Sequence, residues 1–362
     1  MDVQVIRLSI KSALHSGRPG VGAEETDHSI GADSIFGALI SQLALRNATL
    51  IEPLTRAFPR RMGDAFEPSD PPFLLTSAFP FAGDVLFFPT PMLSMSNPSE
   101  QGSSEVGVNK SLKKVRYVSS ALFEQMLNGK SLTQLAQGAI QLQNGQVWLT
   151  ADEQMQLPQS PKAFVDDGLL WETERRPRVS VDRATNRSNV FFHGATFYQE
   201  NCGIWFGLTL RDPAFTLGGL PLADLLRILL CDLETHGFGQ LRSYGLGEVQ
   251  RVGGDTLRTI RLPDPTQHGV VTLSRFAPMP DDLSRLSASV TSYKLVQVGG
   301  RMSSGGFTAM QRHVVPMLAE GSVIGAAASR SIGGCLIDAS PDYSAHPAWR
   351  YGLMFPVGIG KG

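Results

Sequence analysis

Residues 221–236 place Leu222, Leu225, Leu226, Leu229, Leu230 and Leu233 three and four positions apart, so this stretch is a helix that must bury one apolar stripe against a second layer. Pro221 suits its first turn and Gly237 its C-terminal stop. A strand at 203–210 precedes the helix and another at 247–252 follows it. The chain opens in the same order. β-branched residues 3–10 read as a strand, and 34–46 read as a helix with Ile35, Phe36, Leu39, Ile40 and Leu43 on one face and Asp33 or Ser34 available to cap it. Strand-helix-strand twice, with insertions between, predicts an α+β fold of the split β-α-β kind, ferredoxin-like or RRM-like.

Around this frame, apolar segments 71–75 and 85–89 are bracketed by turn residues and read as short strands, and 120–128 reads as a short helix. Residues 98–107, rich in Ser, Gly and Glu, read as mobile. Residues 129–161 are Gln/Asn-rich and only patchily apolar, which predicts an inserted hairpin or lobe outside the core. With Pro263 and Pro265, residues 258–267 read as an interdomain connector. Strands at 270–276, 293–298, 313–318 and 353–359 then predict a second RRM-like domain, so the expected division is 1–257 and 258–362.

A length of 362 residues suits two domains. Its 37 glycines and 23 prolines, about a sixth of the chain, exceed the roughly 12% of average globular sequences and predict many turns. Formal charge is −1, so any affinity for nucleic acid must come from local clusters. Cys202, Cys231 and Cys335 are scattered, which excludes a common zinc or redox site, suits a reducing compartment and implies neither metal nor cofactor. An acid near the N-terminus argues against a signal peptide. Because no window of about 18 apolar residues is free of charge, a soluble, cytoplasmic chain without membrane contact is expected.

The most specific feature is the loop 237–247, Gly-Phe-Gly-Gln-Leu-Arg-Ser-Tyr-Gly-Leu-Gly. Gly237, Gly239, Gly245 and Gly247 lack the Cβ that would keep backbone amides from an anion. Arg242, Ser243 and Tyr244 add a cation, a small donor and a stacking face, suited to kinked RNA with its bases turned out. The same residues also read as a helix stop followed by a glycine hairpin. The loop follows its helix, unlike a dinucleotide fingerprint.

Two basic runs accompany it. Arg175, Arg176, Arg178, Arg183 and Arg187 stand against Glu172, Glu174 and Asp182; guanidinium forks suit single-stranded RNA, although a solvated basic turn would look alike. Lys110, Lys113, Lys114 and Arg116 form the second run, with the same two readings. The Gly-rich stretch 299–306 reads as an anion loop or a flexible turn. Seven scattered histidines, without HExxH or GxSxG, give catalysis little support. Asp281-Asp282 reads as a helix start rather than a metal pair.

The order of Ala-Asp-Ser-Ile-Phe-Gly-Ala-Leu at 32–39, Ser-Ala-Phe-Pro-Phe at 77–81, Lys-Lys-Val-Arg-Tyr at 113–117, Val-Asp-Arg-Ala-Thr at 181–185, the glycine loop and Ala-Glu-Gly-Ser-Val at 319–323 resembles the RAMP proteins of type III CRISPR effector complexes, and among them the handle-binding subunits of the Csm type. Residues 129–165 match none of these landmarks. The resemblance implies a non-catalytic RNA-binding subunit with two RRM-like domains, placed between the large polymerase-like subunit and the backbone RAMP filament. Carried onto this chain, Gly237, Gly239, Arg242, Ser243, Gly245 and Gly247 would hold the crRNA 5′ handle, and a thumb-like hairpin between 129 and 187 would push between guide and target RNA. Some RAMP relatives are endoribonucleases. His15 and His28 flank the loop where those keep an acid or base, and Asp33 lies where some carry a cleaving aspartate, although its place before a helix favours capping.

Overall fold

A computed structural model describes all residues except 18–25, 27, 94–110, 159–167, 255, 303–309, 327–331, 343 and 361–362. The expected mobile stretch 98–107 and Lys110 therefore lie outside the described residues.

The first strand, Asp2–Ile10, sits inside a ten-stranded sheet. It pairs antiparallel with Cys202–Leu210, Val5 opposite Gly207 and Arg7 opposite Trp205. On its other side lies Val249–Arg251. Cys202–Leu210 pairs in turn with Phe79–Ala82. Phe79–Ala82, which follows helix Ala32–Asn47 after three shorter strands, thus lies beyond Cys202–Leu210, and the strand after helix Leu222–His236 lies beyond Asp2–Ile10. The order is that expected when two strand-helix-strand units interleave.

Both helices cover the sheet with the stripes read from the sequence. Ile35, Phe36, Leu39 and Leu43 are buried from the first, and all six leucines from the second. At about 1.5–3 kcal/mol for each fully buried aliphatic side chain, these two faces contribute much of the force that holds the layers together. Arg46 Nη2 donates to Asp232 Oδ1 at 2.7 Å and ties the helices side by side. The helical run Ala32–Arg56 is long and apolar enough to cross a membrane by length and composition alone. Its apolar face is instead spent on this core.

Four expectations change. Asp33 caps nothing: Gly31 holds the cap position without a side-chain bond, and the Ala32 amide donates to Ser77 Oγ. The Asp33 carboxylate, 1% exposed, is drawn to two guanidiniums instead, Arg350 at 2.9 Å and Arg275 at 3.3 Å. Residues 129–158 are not an outlying lobe, and 159–161 lie outside the described residues. Leu132, Leu135, Leu142, Val147, Trp148 and Leu149 enter the main core, and Val147–Leu149 extends the sheet beside Tyr117–Ser119. The polar residues there are structural. Ser131 and Gln134 form a capping box, and the Gln143 amide bonds Leu170 N–H and the Trp171 carbonyl.

Third, the expected connector begins as a strand, Arg258–Arg261, paired with Asp2 to Val5 before the prolines interrupt it. Fourth, the described residues from 262 to 359 contain a single α-helix, Leu283–Leu286, so the helix pair required by an RRM-like second domain is not found among them. Val270–Thr272 lies between Val323–Ile324 and Pro356–Gly358, and Leu336–Asp338 pairs with Arg60–Met62 from the first half. Val271, Leu273, Val323, Phe355 and Val357 share the main core.

Candidate nucleic-acid interface

The glycine loop starts where the leucine helix stops. Gly237, at φ 76, donates its N–H to the Leu233 carbonyl at 2.9 Å, and the buried Phe238 then plugs the loop's neck. A Cβ at Gly247, at φ +81, would lie 2.1 Å from the Phe238 carbonyl oxygen, so the neck closes only with glycine there. The loop is stitched to the segment after the first strand: Gly247 N–H donates to Ala13 and Gln240 N–H to His15.

The amides of Gly237, Phe238, Gln240, Tyr244, Gly245 and Gly247 are all spent on backbone carbonyls. Gly237, Gly245 and Gly247 therefore shape the loop rather than line an amide cradle, which corrects the sequence reading for those three. What the loop offers outward is the exposed side chains of Arg242, Ser243 and Tyr244. Arg242 Nη1 leans back on the His236 carbonyl at 3.3 Å, beside the helix C-terminus.

The arginine run forms a two-stranded hairpin, Trp171–Val181 against Ser188–Tyr198, in register from Trp171 opposite Tyr198 to Val181 opposite Ser188. Its base is anchored by Trp171 stacked on His28 at 4.5 Å and by an isolated bridge between Leu14 and Thr196. At roughly 3.3 Å per residue, its eleven-residue strands carry the tip about 30 Å from the base. Two backbone N–H groups, of Ala184 and Thr185, donate to the Asp182 carboxylate at the tip and hold it below the usual carboxylate range.

Alternation sorts the side chains. Arg176 opposite His193 and Arg178 opposite Phe191 share one face, whereas Arg175 lies on the other with Pro177, Val179, Val190 and Phe192. The arginine face turns toward the glycine loop. The Arg178 guanidinium lies 4.3 Å from the Tyr244 ring centroid, and its Nε donates to His193 Nδ1 at 3.2 Å. Arg176 covers Phe197 at 4.4 Å and pairs with Glu174. Arg183 and Arg187 belong to the tip, away from this junction. Sequence reasoning missed His193, since only strand register reveals what faces it.

Lys113 and Arg116 line a cavity of about 910 Å³ whose wall also holds Gln240 of the glycine loop. Lys114 is exposed and not part of that wall. Two of the three clusters therefore adjoin, and the third touches the loop through Arg178. At Gly299 and Gly300 the carbonyls are taken, by Arg350 and by the Arg312 amide respectively. Residues 303–306 lie outside the described residues.

The acid-base candidates are placed for structure. His15 is 2% exposed, donates from Nδ1 to the Gly194 carbonyl at 2.8 Å, and is held below its ordinary pKa by burial. His28 is buried between Trp171 and Tyr117. Asp282 accepts from the Met279 and Gly334 amides, as a helix-start residue does. Burial pushes the Cys202 and Cys335 thiols up to about 12. Among the described residues no group of three His, Cys, Asp or Glu could hold a metal ion.

Residues 266–359 match the family of the CRISPR Csm4 C-terminal domain. The CRISPR system Cms protein Csm4 of Thermococcus onnurineus (strain NA1) is 24% identical over 339 residues, 91% of each chain. Among solved structures, a chain of a Csm1-Csm4 cassette in complex with cA4 matches with TM-score 0.56 at 19% identity, covering 100% of this chain and 99% of that one. A chain of a Csm3-Csm4 subcomplex in the type III-A CRISPR-Cas interference complex matches with TM-score 0.56 at 13% identity, covering 99% of both.

Proposed function

We propose that this chain, a member of the CRISPR Csm4 family by its C-terminal domain, is a non-catalytic RNA-binding subunit of a type III-A effector complex that holds the crRNA 5′ handle. The observation that carries this reading is the meeting of the arginine hairpin and the glycine loop at Arg178 and Tyr244. Cation, aromatic ring and exposed loop donors converge there, the combination that binds unpaired RNA with little demand on sequence. Arg242, Ser243, Tyr244, Arg176 and Arg178 take the handle's backbone and bases. Gly237, Gly239, Gly245 and Gly247 give the loop its shape, and Lys113, Lys114 and Arg116 extend the positive surface.

In this reading the interleaved strand-helix-strand sheet is the ferredoxin-like body, and the hairpin is the thumb. Its tip, with Arg183 and Arg187, reaches toward the guide and, through it, the target RNA, while Arg175 lies on the opposite face. The relatives crystallised with Csm1 and with Csm3 support a bridging place between the large polymerase-like subunit and the backbone RAMP subunit. The complex acts in the cytoplasm in antiviral defence, and in this reading the chain itself binds no membrane, metal or cofactor. The endoribonuclease alternative loses support because His15 and His28 are buried and Asp33 is locked to Arg350 and Arg275.

The test is to sequence the small RNA that co-purifies with the tagged chain from cells carrying its CRISPR locus. Repeat-derived 5′ handles are expected; their absence overturns the reading. Cleavage of a repeat RNA by the purified chain, abolished in His15→Ala with His28→Ala, would favour the nuclease instead.

A further inference from the structure

We propose that His193 is a positioning residue for the RNA contact: its neutral imidazole holds Arg178 over Tyr244, and a proton on that ring lets Arg178 go, so that RNA affinity falls in acid. This rests on the handle-binding reading and adds a control to the same junction.

Of the five arginines in the run, Arg178 is half-buried and the other four are exposed. Two contacts hold it there. Its Nε donates to His193 Nδ1 at 3.2 Å, and its guanidinium lies 4.3 Å from the Tyr244 ring centroid. Ordering a long side chain costs rotamer entropy, and a side chain ordered before RNA arrives spares that cost on binding. The acceptor that orders this one is a ring nitrogen, which accepts only while it carries no proton.

His193 is 3% exposed, and its strand is pinned to the body just beyond it. The Gly194 carbonyl accepts from His15 Nδ1 at 2.8 Å, and Leu14 bridges Thr196. The charges around the ring share one sign. Arg176 stands opposite it in the strand pair, Arg178 is bonded to it, and His15 reaches it from the segment after the first strand. Glu174, on the same strand as both arginines, is paired with Arg176, and the glycine loop brings Arg242 and Tyr244 but no acid.

Burial first, then Arg178 and His15, hold the His193 pKa below its ordinary value. Arginine keeps its proton throughout, so a proton added to His193 removes the acceptor and sets two cations against each other, neither with an acidic partner among the described residues. His15 differs, because its Nδ1 already donates to a carbonyl and that bond survives protonation.

The test measures handle affinity of the full chain by fluorescence anisotropy from about pH 8 to about pH 5.5, with circular dichroism at each step to confirm that the chain is folded. Wild type should bind roughly tenfold more weakly at the acid end. His193→Gln offers Arg178 a side-chain oxygen at every pH, so it should match wild type at the alkaline end and give a flat profile, whereas His15→Gln should keep the fall. Arg178→Ala should bind weakly and lose the fall as well, since nothing is left for the proton to release. A wild-type affinity that binds RNA at the alkaline end and then stays level or rises toward acid overturns the inference and leaves the handle reading standing, as does a fall that persists in His193→Gln. No binding at the alkaline end overturns the handle reading, and this inference with it.

Discussion

The Arg178 guanidinium covers one side of the Tyr244 ring at 4.3 Å, and that contact is where two separate stretches of the sequence become one surface. Tyr244 is 57% exposed, so its ring remains accessible to a nucleobase. Stacking of one base on an aromatic ring is worth about 1–3 kcal/mol, so Tyr244→Ala should weaken handle binding by roughly 5- to 150-fold, while Tyr244→Phe should stay near wild type. Fluorescence anisotropy with a labelled handle reads both.

His193 makes the same junction sensitive to acid. Its Nδ1 accepts from Arg178, so it must be neutral, and burial together with Arg178, Arg176 and His15 holds its pKa below 6.5. His15 is lowered as well, chiefly by burial. With both groups depressed in the folded state, the unfolded chain binds more protons just below pH 6.5. Stability is therefore full above that pH and falls as the pH drops through the unfolded value toward the lower folded ones. Urea denaturation from pH 8 to 5 should show the midpoint falling below about 6.5, and His15→Gln with His193→Gln should flatten that fall.

Asp33 joins the first helix to the C-terminal half. Removing it in Asp33→Ala leaves Arg350, only 5% exposed, without its carboxylate. Breaking a buried pair from one side costs about 3–5 kcal/mol, so a large drop in the urea midpoint is expected. A catalytic Asp33 would instead lose activity with stability intact.

The loop's glycines separate by what surrounds them. Gly247 has no room for a Cβ, whereas a Cβ at Gly245 would meet nothing within 4 Å, although φ is positive at both, +81 and +80. Gly245→Ala should cost about 1 kcal/mol of backbone strain, and Gly247→Ala distinctly more, with weaker handle binding because the neck must open. Thermal unfolding of the two variants side by side measures the difference.

How much of this was legible depended on how locally each signal is written. The leucine stripe of residues 222–233 and the strands around it follow from spacing alone, and they emerged as read. The Gln/Asn-rich stretch 129–161 misleads because its polar side chains cap and brace while single leucines slip into the core between them. Asp33 looks like a cap because its guanidinium partner Arg350 is 317 residues away. The glycine loop's position was visible, but its amide bonding to residues 13 and 15 depends on tertiary contact. The two faces of the arginine hairpin appear only once the register pairs Arg178 with Phe191.

The most direct measurement is handle affinity across a salt series for the wild type and for Arg178→Glu with Arg242→Glu. Reversal at the junction should raise Kd and make the plot of log Kd against log salt shallower by about 0.7 for each phosphate that the protein no longer neutralises. An affinity and slope equal to wild type would contradict the proposal that the hairpin and the glycine loop grip RNA together.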